Sequence, residues 1–163
     1  MKKIILFSII LFLLAGCSNS TSNSSLSESP ASMGIIEVDK NNIDLQEILI
    51  LGGDVKTVFT FRNIGDEPVE LLEGVTTCMC TEAFITFDNK TISPRMKMYG
   101  HGAPAQINQI LNPDESAVLT SVFDPLAHGP NAVGPIMREI IIKTNSLETP
   151  EVKFRFLGDV VKK

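Results

Sequence analysis

The chain has 163 residues, 44% of them hydrophobic and 6% aromatic, with no tryptophan, and its 14 basic and 19 acidic side chains leave a net charge of −5. An acidic surface repels phosphate backbones, so nucleic acid is excluded as a partner class. Allowing for the leader and tether described next, about 130 residues remain, enough for one domain with a single core.

The chain opens with Lys2 and Lys3 and continues into an apolar run from Ile4 to Leu14. This is the pattern of a secretory signal, and the run is shorter than the roughly 20 residues a membrane-spanning helix needs. It ends in Leu14-Ala15-Gly16-Cys17, which resembles the bacterial lipobox, whose cysteine is lipidated and becomes the first mature residue. The resemblance implies that residues 1–16 are a lipoprotein signal peptide and that Cys17 carries the lipid. The protein is then exported and anchored to the bacterial membrane without crossing it. It would face the periplasm, with Ser18 compatible with outer-membrane sorting, or lie at the cell surface where no outer membrane exists. Loss of Lys2 and Lys3 leaves 12 basic against 19 acidic side chains, a net charge of −7. Residues 18–32 are mostly Ser, Thr and Asn and cannot bury enough apolar area to offset their ordering entropy. Residues 17–33 therefore read as the lipidated cysteine and a flexible linker holding the domain about 20 Å from the lipid, and residues 34–163 as the folded domain.

Short strands separated by turn residues follow, with almost no helical periodicity. They fall at residues 35–38, 43–51, 55–62, 69–75, 83–87, 117–123, 136–144 and 152–161. The clearest runs from Val55 to Arg62 and alternates around Phe59 and Phe61, between Gly52-Gly53-Asp54 and Gly65-Asp66-Glu67-Pro68. Residues 44–51 also admit a helical reading, but they lie before the Gly52-Gly53 break. Ile140-Ile141-Ile142 is apolar without alternation, as expected for a mid-sheet strand covered on both faces. The spacing predicts an all-β fold, an antiparallel sandwich of about seven to nine strands, with a small closed barrel as the alternative.

Several short motifs then fall in a recognisable order across residues 43–161. They are Val58-Phe59-Thr60-Phe61-Arg62-Asn63-Ile64-Gly65-Asp66-Glu67-Pro68, Cys78-Met79-Cys80-Thr81, Pro113-Asp114-Glu115, Phe123-Asp124-Pro125, Thr144-Asn145 and Phe156-Leu157-Gly158-Asp159-Val160. In this order the chain resembles the domain-of-unknown-function family 1573, bacterial exported proteins with an immunoglobulin-like sandwich related to the ASH, MSP and HYDIN type. The resemblance implies that fold and no settled activity. The chain departs from the family's usual Cys-Gly-Cys-Thr at Met79, and a long insertion separates Thr81 from Pro113. It is also similar to a branch reading Cys-Met-Cys with a later Gly-His-Gly and His-Gly-Pro, here at His101 and at His128-Gly129-Pro130.

With Cys17 assigned to lipid, Cys78 and Cys80 are the domain's only cysteines, and His101 and His128 its only histidines. Cys78, Met79, Cys80, Met96, Met98 and His101 lie within 24 residues. Thiolate and thioether donors favour Cu(I), whereas paired thiolates with imidazoles also suit zinc. On a strand, Cys78 and Cys80 would face the same side, with Met79 pointing away. A disulfide between them would span about 6.6 Å of extended chain, at the edge of the range disulfides accept, and so needs a bent backbone or a tight turn. Zinc through Cys78, Cys80, His101 and His128 matches no ordinary finger spacing. Copper needs fewer donors, the two sulfurs with Met96, Met98 or His101, and ranks above it.

Each candidate has a plainer alternative. Met96 and Met98 alternate and could fill a core face, His101 and His128 could be solvated loop residues, and the cysteines could form a structural bridge. A Cys nucleophile served by His101 or His128 and oriented by Asp124 lacks a recognisable motif, and no phosphate-binding glycine loop is present, so no enzymatic activity is expected. The expectation is a membrane-anchored lipoprotein binding module with a soft-metal, Cu(I) site at the cell envelope and an envelope protein as partner. The alternative is an envelope protein- or glycan-interaction domain with a structural cysteine pair and no metal.

Overall fold

A computed structural model of the chain describes residues 29–162; the signal segment, Cys17 and the linker through residue 28 lie outside the described residues. The described residues form ten strands and no helix: β1 (Ile36–Val38), β2 (Asn42–Leu49), β3 (Val55–Asn63), β4 (Val69–Thr76), β5 (Thr81–Phe87), β6 (Lys90–Thr91), β7 (Ala105–Leu111), β8 (Ser116–Phe123), β9 (Gly134–Thr144) and β10 (Glu151–Val161). They pair as two five-stranded sheets, in the orders β1-β3-β8-β5-β6 and β2-β10-β9-β4-β7. The architecture is a sandwich, as the strand spacing predicts, and not a closed barrel.

Alternation drives the packing. Thr57, Phe59, Phe61 and Asn63 of β3 point inward, as do Val152, Phe154, Phe156, Gly158 and Val160 of β10. Across the interface Phe154 meets both Phe59 and Phe61 edge-on, with ring centroids 5.4 Å apart in each case, the geometry the ring quadrupoles favour. Ile140 and Ile142 of β9 are fully buried in the third of five strands. Their neighbour Ile141 is only half-buried, so this strand lies mid-sheet but is not covered on both faces.

Three expectations are corrected. The strands number ten, because β6 and β7 join the eight that the sequence predicts. β7 carries a bulge, where its register against β4 shifts between Leu71 and Glu73 and Asn108 takes a φ of 51°; burial still alternates along the strand, but the residue types do not follow it, because Gln109 holds an inward position and Ile110 is 50% exposed. The sandwich is not wholly antiparallel either, because the chain changes sheets after β1 and lays β2 parallel to β10. Packing also starts ahead of residue 34. Ser32 is 4% exposed, its N–H donates to Asn145 O at 3.0 Å, and its carbonyl accepts from Leu147 N at 2.8 Å. A linker too polar to build a core can still pair its backbone.

Met96 shows how the insertion after β6 is held. Its N–H and carbonyl pair with Ala83 of β5, and the next residue's carbonyl accepts from Thr76 N of β4, so residues 96 and 97 stitch the two sheets together. The Met96 side chain is fully buried against Gly74, where an added Cβ would fall 2.5 Å from Sδ. Gly74→Ala is therefore expected to destabilise the domain by about 1–3 kcal/mol through overpacking, read as a lower urea midpoint at unchanged slope.

β4 and β9 both run the length of the sandwich. Glu70 and Asn145, at one end, meet the incoming residues 29–33. The other end, at Thr76 and Gly134, carries the cysteines.

Candidate functional site

Cys78 and Cys80 sit just past the end of β4, in a turn closed by the Thr81 N–H donating to Cys78 O at 3.1 Å. The Thr76 hydroxyl lies 3.1 Å from Cys78 O and 2.9 Å from Thr81 O, tying both sides of the turn together. Of the two geometries the sequence leaves open, strand or tight turn, the chain takes the turn: it leaves the sheet at Thr76, and the turn brings the two Cα atoms to 5.3 Å, where the sulfurs form a disulfide. The bend that such a bond needs is built into the backbone. Met79 at its tip is 53% exposed.

Two further side chains reach the sulfurs. His128 Nε2 lies 3.4 Å from Cys78 Sγ, and the Arg138 Nε–H donates to Cys80 Sγ at 3.0 Å. His128 is placed by the turn after β8, in which Asp124 N donates to Cys80 O at 2.9 Å. The Asp124 carboxylate accepts from Leu126 N at 2.8 Å and so caps this turn; it does not orient an imidazole. Arg138 comes from β9, its guanidinium 5.6 Å above the Phe123 ring. Burial lowers its pKa, but a guanidinium starts so high that it remains a cation. His128 and Arg138 also line, with Phe123, Pro125, Ile136 and Val160, a cleft of about 260 Å³, room for a side chain but less than the usual small-molecule pocket.

Among the described residues, Cys78, Cys80 and His128 form a group of His, Cys and acidic side chains whose ligand atoms all lie within 4.8 Å of one another. His101 does not join this group. Met96 belongs to the core, where Gly74 makes room for it, which removes it from the ligand set. Met98 is half-buried, bridged to Thr76 through its backbone, and His101 is exposed on a turn closed onto Met98 O. Arg138 was not foreseen, and its only sequence signal is a charge inside an otherwise apolar strand.

The disulfide contributes little as a staple. Its partners are two residues apart, and closing so small a loop restricts the unfolded chain by roughly 1.6 kcal/mol on the loop-entropy account, against about 3 for a 15-residue loop.

Fold and site together define an immunoglobulin-like β-sandwich carrying a cystine turn at one end. Residues 36–98 match the model of the family described as "Protein of unknown function (DUF1573)". Among solved structures, the chain is similar to a protein of unknown function from Porphyromonas gingivalis W83 at 18% identity and a TM-score of 0.57. The alignment covers 84% of this chain and 51% of that one, so the chain spans about half of that structure's length. It is similar to a family 123 glycoside hydrolase from Clostridium perfringens at 11% identity and a TM-score of 0.52, covering 81% and 28% of the two chains. The ASH / PapD-like domain 7 of human CEP192 aligns at 12% identity and a TM-score of 0.46, covering 91% and 99%. No curated protein matches the chain.

Proposed function

We propose that the protein is a non-enzymatic, membrane-anchored lipoprotein that captures or delivers Cu(I) at the cell envelope, using Cys78, Cys80 and His128 in the reduced state. The observation that carries this reading is the convergence of two sulfurs and one imidazole nitrogen within 4.8 Å. Two thiolates with an imidazole are a soft donor set that suits Cu(I) and also zinc. Zinc wants a fourth protein ligand or an open position used for chemistry, and no fourth His, Cys, Asp or Glu joins the group among the described residues. The anchor rests on the apolar leader and Leu14-Ala15-Gly16-Cys17. Loading requires a reduced pair, since a sulfur held in a disulfide is no thiolate ligand.

The test is a Cu(I) competition titration of the reduced full-length chain under nitrogen. One equivalent is expected to bind, to be lost in Cys78→Ser/Cys80→Ser and weakened in His128→Gln. Met96→Leu should leave binding intact and change stability by less than about 1.5 kcal/mol, as a volume-conserving core exchange does. Binding that survives the double cysteine substitution, or absence of binding by the reduced chain, would overturn the copper reading and favour an interaction domain with a structural bridge.

A further inference from the structure

The two sulfurs of the cystine turn are not equivalent. Cys80 is 3% exposed and receives the Arg138 Nε–H at 3.0 Å. Cys78 is only half-buried and faces His128 at 3.4 Å. In thiol–disulfide exchange an incoming thiolate attacks the accessible sulfur, and the sulfur whose thiolate is better stabilised leaves faster. A fixed cation at hydrogen-bond distance stabilises a thiolate. Access therefore selects Cys78 for attack and charge selects Cys80 as the leaving group, so both preferences point to one direction of opening.

We propose that the Cys78–Cys80 disulfide is a centre of thiol–disulfide exchange with a dithiol partner, attacked at Cys78 and opened with Cys80 leaving toward Arg138. A partner thiolate forms a mixed disulfide with Cys78 Sγ while the bond to Cys80 Sγ breaks, and its electron pair stays on Cys80. The partner's second thiolate then attacks its own sulfur in the mixed disulfide and releases Cys78. Two electrons pass from the partner, which becomes a disulfide, to the pair, and the partner's two thiol protons pass to the released thiolates or to solvent. The cleft beside His128 and Arg138 is where the partner's side chain enters. The exchange needs no metal and stands apart from the copper reading; where copper binds, this step frees both of its thiolate ligands.

Oxidised full-length chain is treated with reduced glutathione in chelator-containing buffer, quenched with acid, alkylated and mapped by mass spectrometry. The adduct is expected on Cys78 in at least about tenfold excess over Cys80. With dithiothreitol, Arg138→Gln should open about tenfold more slowly and Arg138→Lys should recover part of the rate, with thermal melts reporting that both variants are folded. An adduct on Cys80 or shared equally, an unchanged rate in folded Arg138→Gln, or a disulfide that opens only in denaturant would each overturn the proposal. Because chelator is present throughout, failure of copper binding leaves these outcomes untouched.

Discussion

Phe154→Ala is expected to cost about 3–5 kcal/mol. Phe154 is fully buried and is the one ring that both Phe59 and Phe61 meet edge-on, so its removal leaves a cavity and ends two aromatic pairs at once. Each pair contributes about 0.5–1.5 kcal/mol beyond its buried area. Because single domains are stable by only about 5–15 kcal/mol, the variant should lie near its unfolding threshold at room temperature. Urea denaturation followed by circular dichroism measures the effect, and Phe154→Leu should recover much of it by refilling the space. A loss below about 1 kcal/mol would mean that the two sheets do not pack through this ring.

Asn63→Leu is expected to be nearly as damaging, for a polar reason. Asn63 is fully buried, and its Nδ2 donates to Glu67 O at 2.8 Å and to Leu111 O at 2.9 Å, while Oδ1 accepts from Gly65 N at 3.0 Å. The backbone of the same residue pairs with Glu115 O and Asp114 N. The side chain thus fastens the turn after β3 to the end of β7, while the backbone of the same residue holds the turn before β8. Leucine is of similar size but leaves two carbonyls and one amide without partners, at about 1–3 kcal/mol for each buried group that water cannot reach. A loss of about 3–5 kcal/mol is expected, with faster hydrogen exchange at Gly65. Retention of both stability and Gly65 protection would show that the network is dispensable.

Phe59 and Phe61 announce a half-buried strand because their alternation is unbroken and their turns are dense in glycine. Ile140 and Ile142 likewise mark a mid-sheet strand. β7 was hidden because its residue types do not follow its alternation: Gln109 takes an inward position, Ile110 is exposed, and Gln106 and Asn108 fill the outer face. The parallel pairing of β2 with β10 joins residues more than a hundred positions apart and depends on where the chain changes sheets, which local pattern does not encode.

The site was legible in the same uneven way. Scarcity pointed to Cys78 and Cys80, because few donors remained once Cys17 was assigned to lipid, but the third donor favoured for copper was Met96, Met98 or His101, whereas the structure brings His128 to the sulfurs. Met96 looked equally suitable as a sulfur donor, and only the space opposite it, left by Gly74, settles it as core. Arg138 could not be read, since its role arises from the pairing of β9 with β4, which brings it beside a turn 58 residues earlier in the chain. The turn itself, held by the Thr76 hydroxyl, decides that the cysteines meet, where strand geometry would have held them apart.

Copper K-edge absorption on the reduced, Cu(I)-loaded full-length chain tests the central claim most directly, because it counts the donors around the metal. A first shell of two sulfurs and one imidazole nitrogen, with the nitrogen lost in His128→Gln, is the predicted result. A third sulfur supplied by methionine, or a shell without sulfur, would contradict a site built from Cys78, Cys80 and His128.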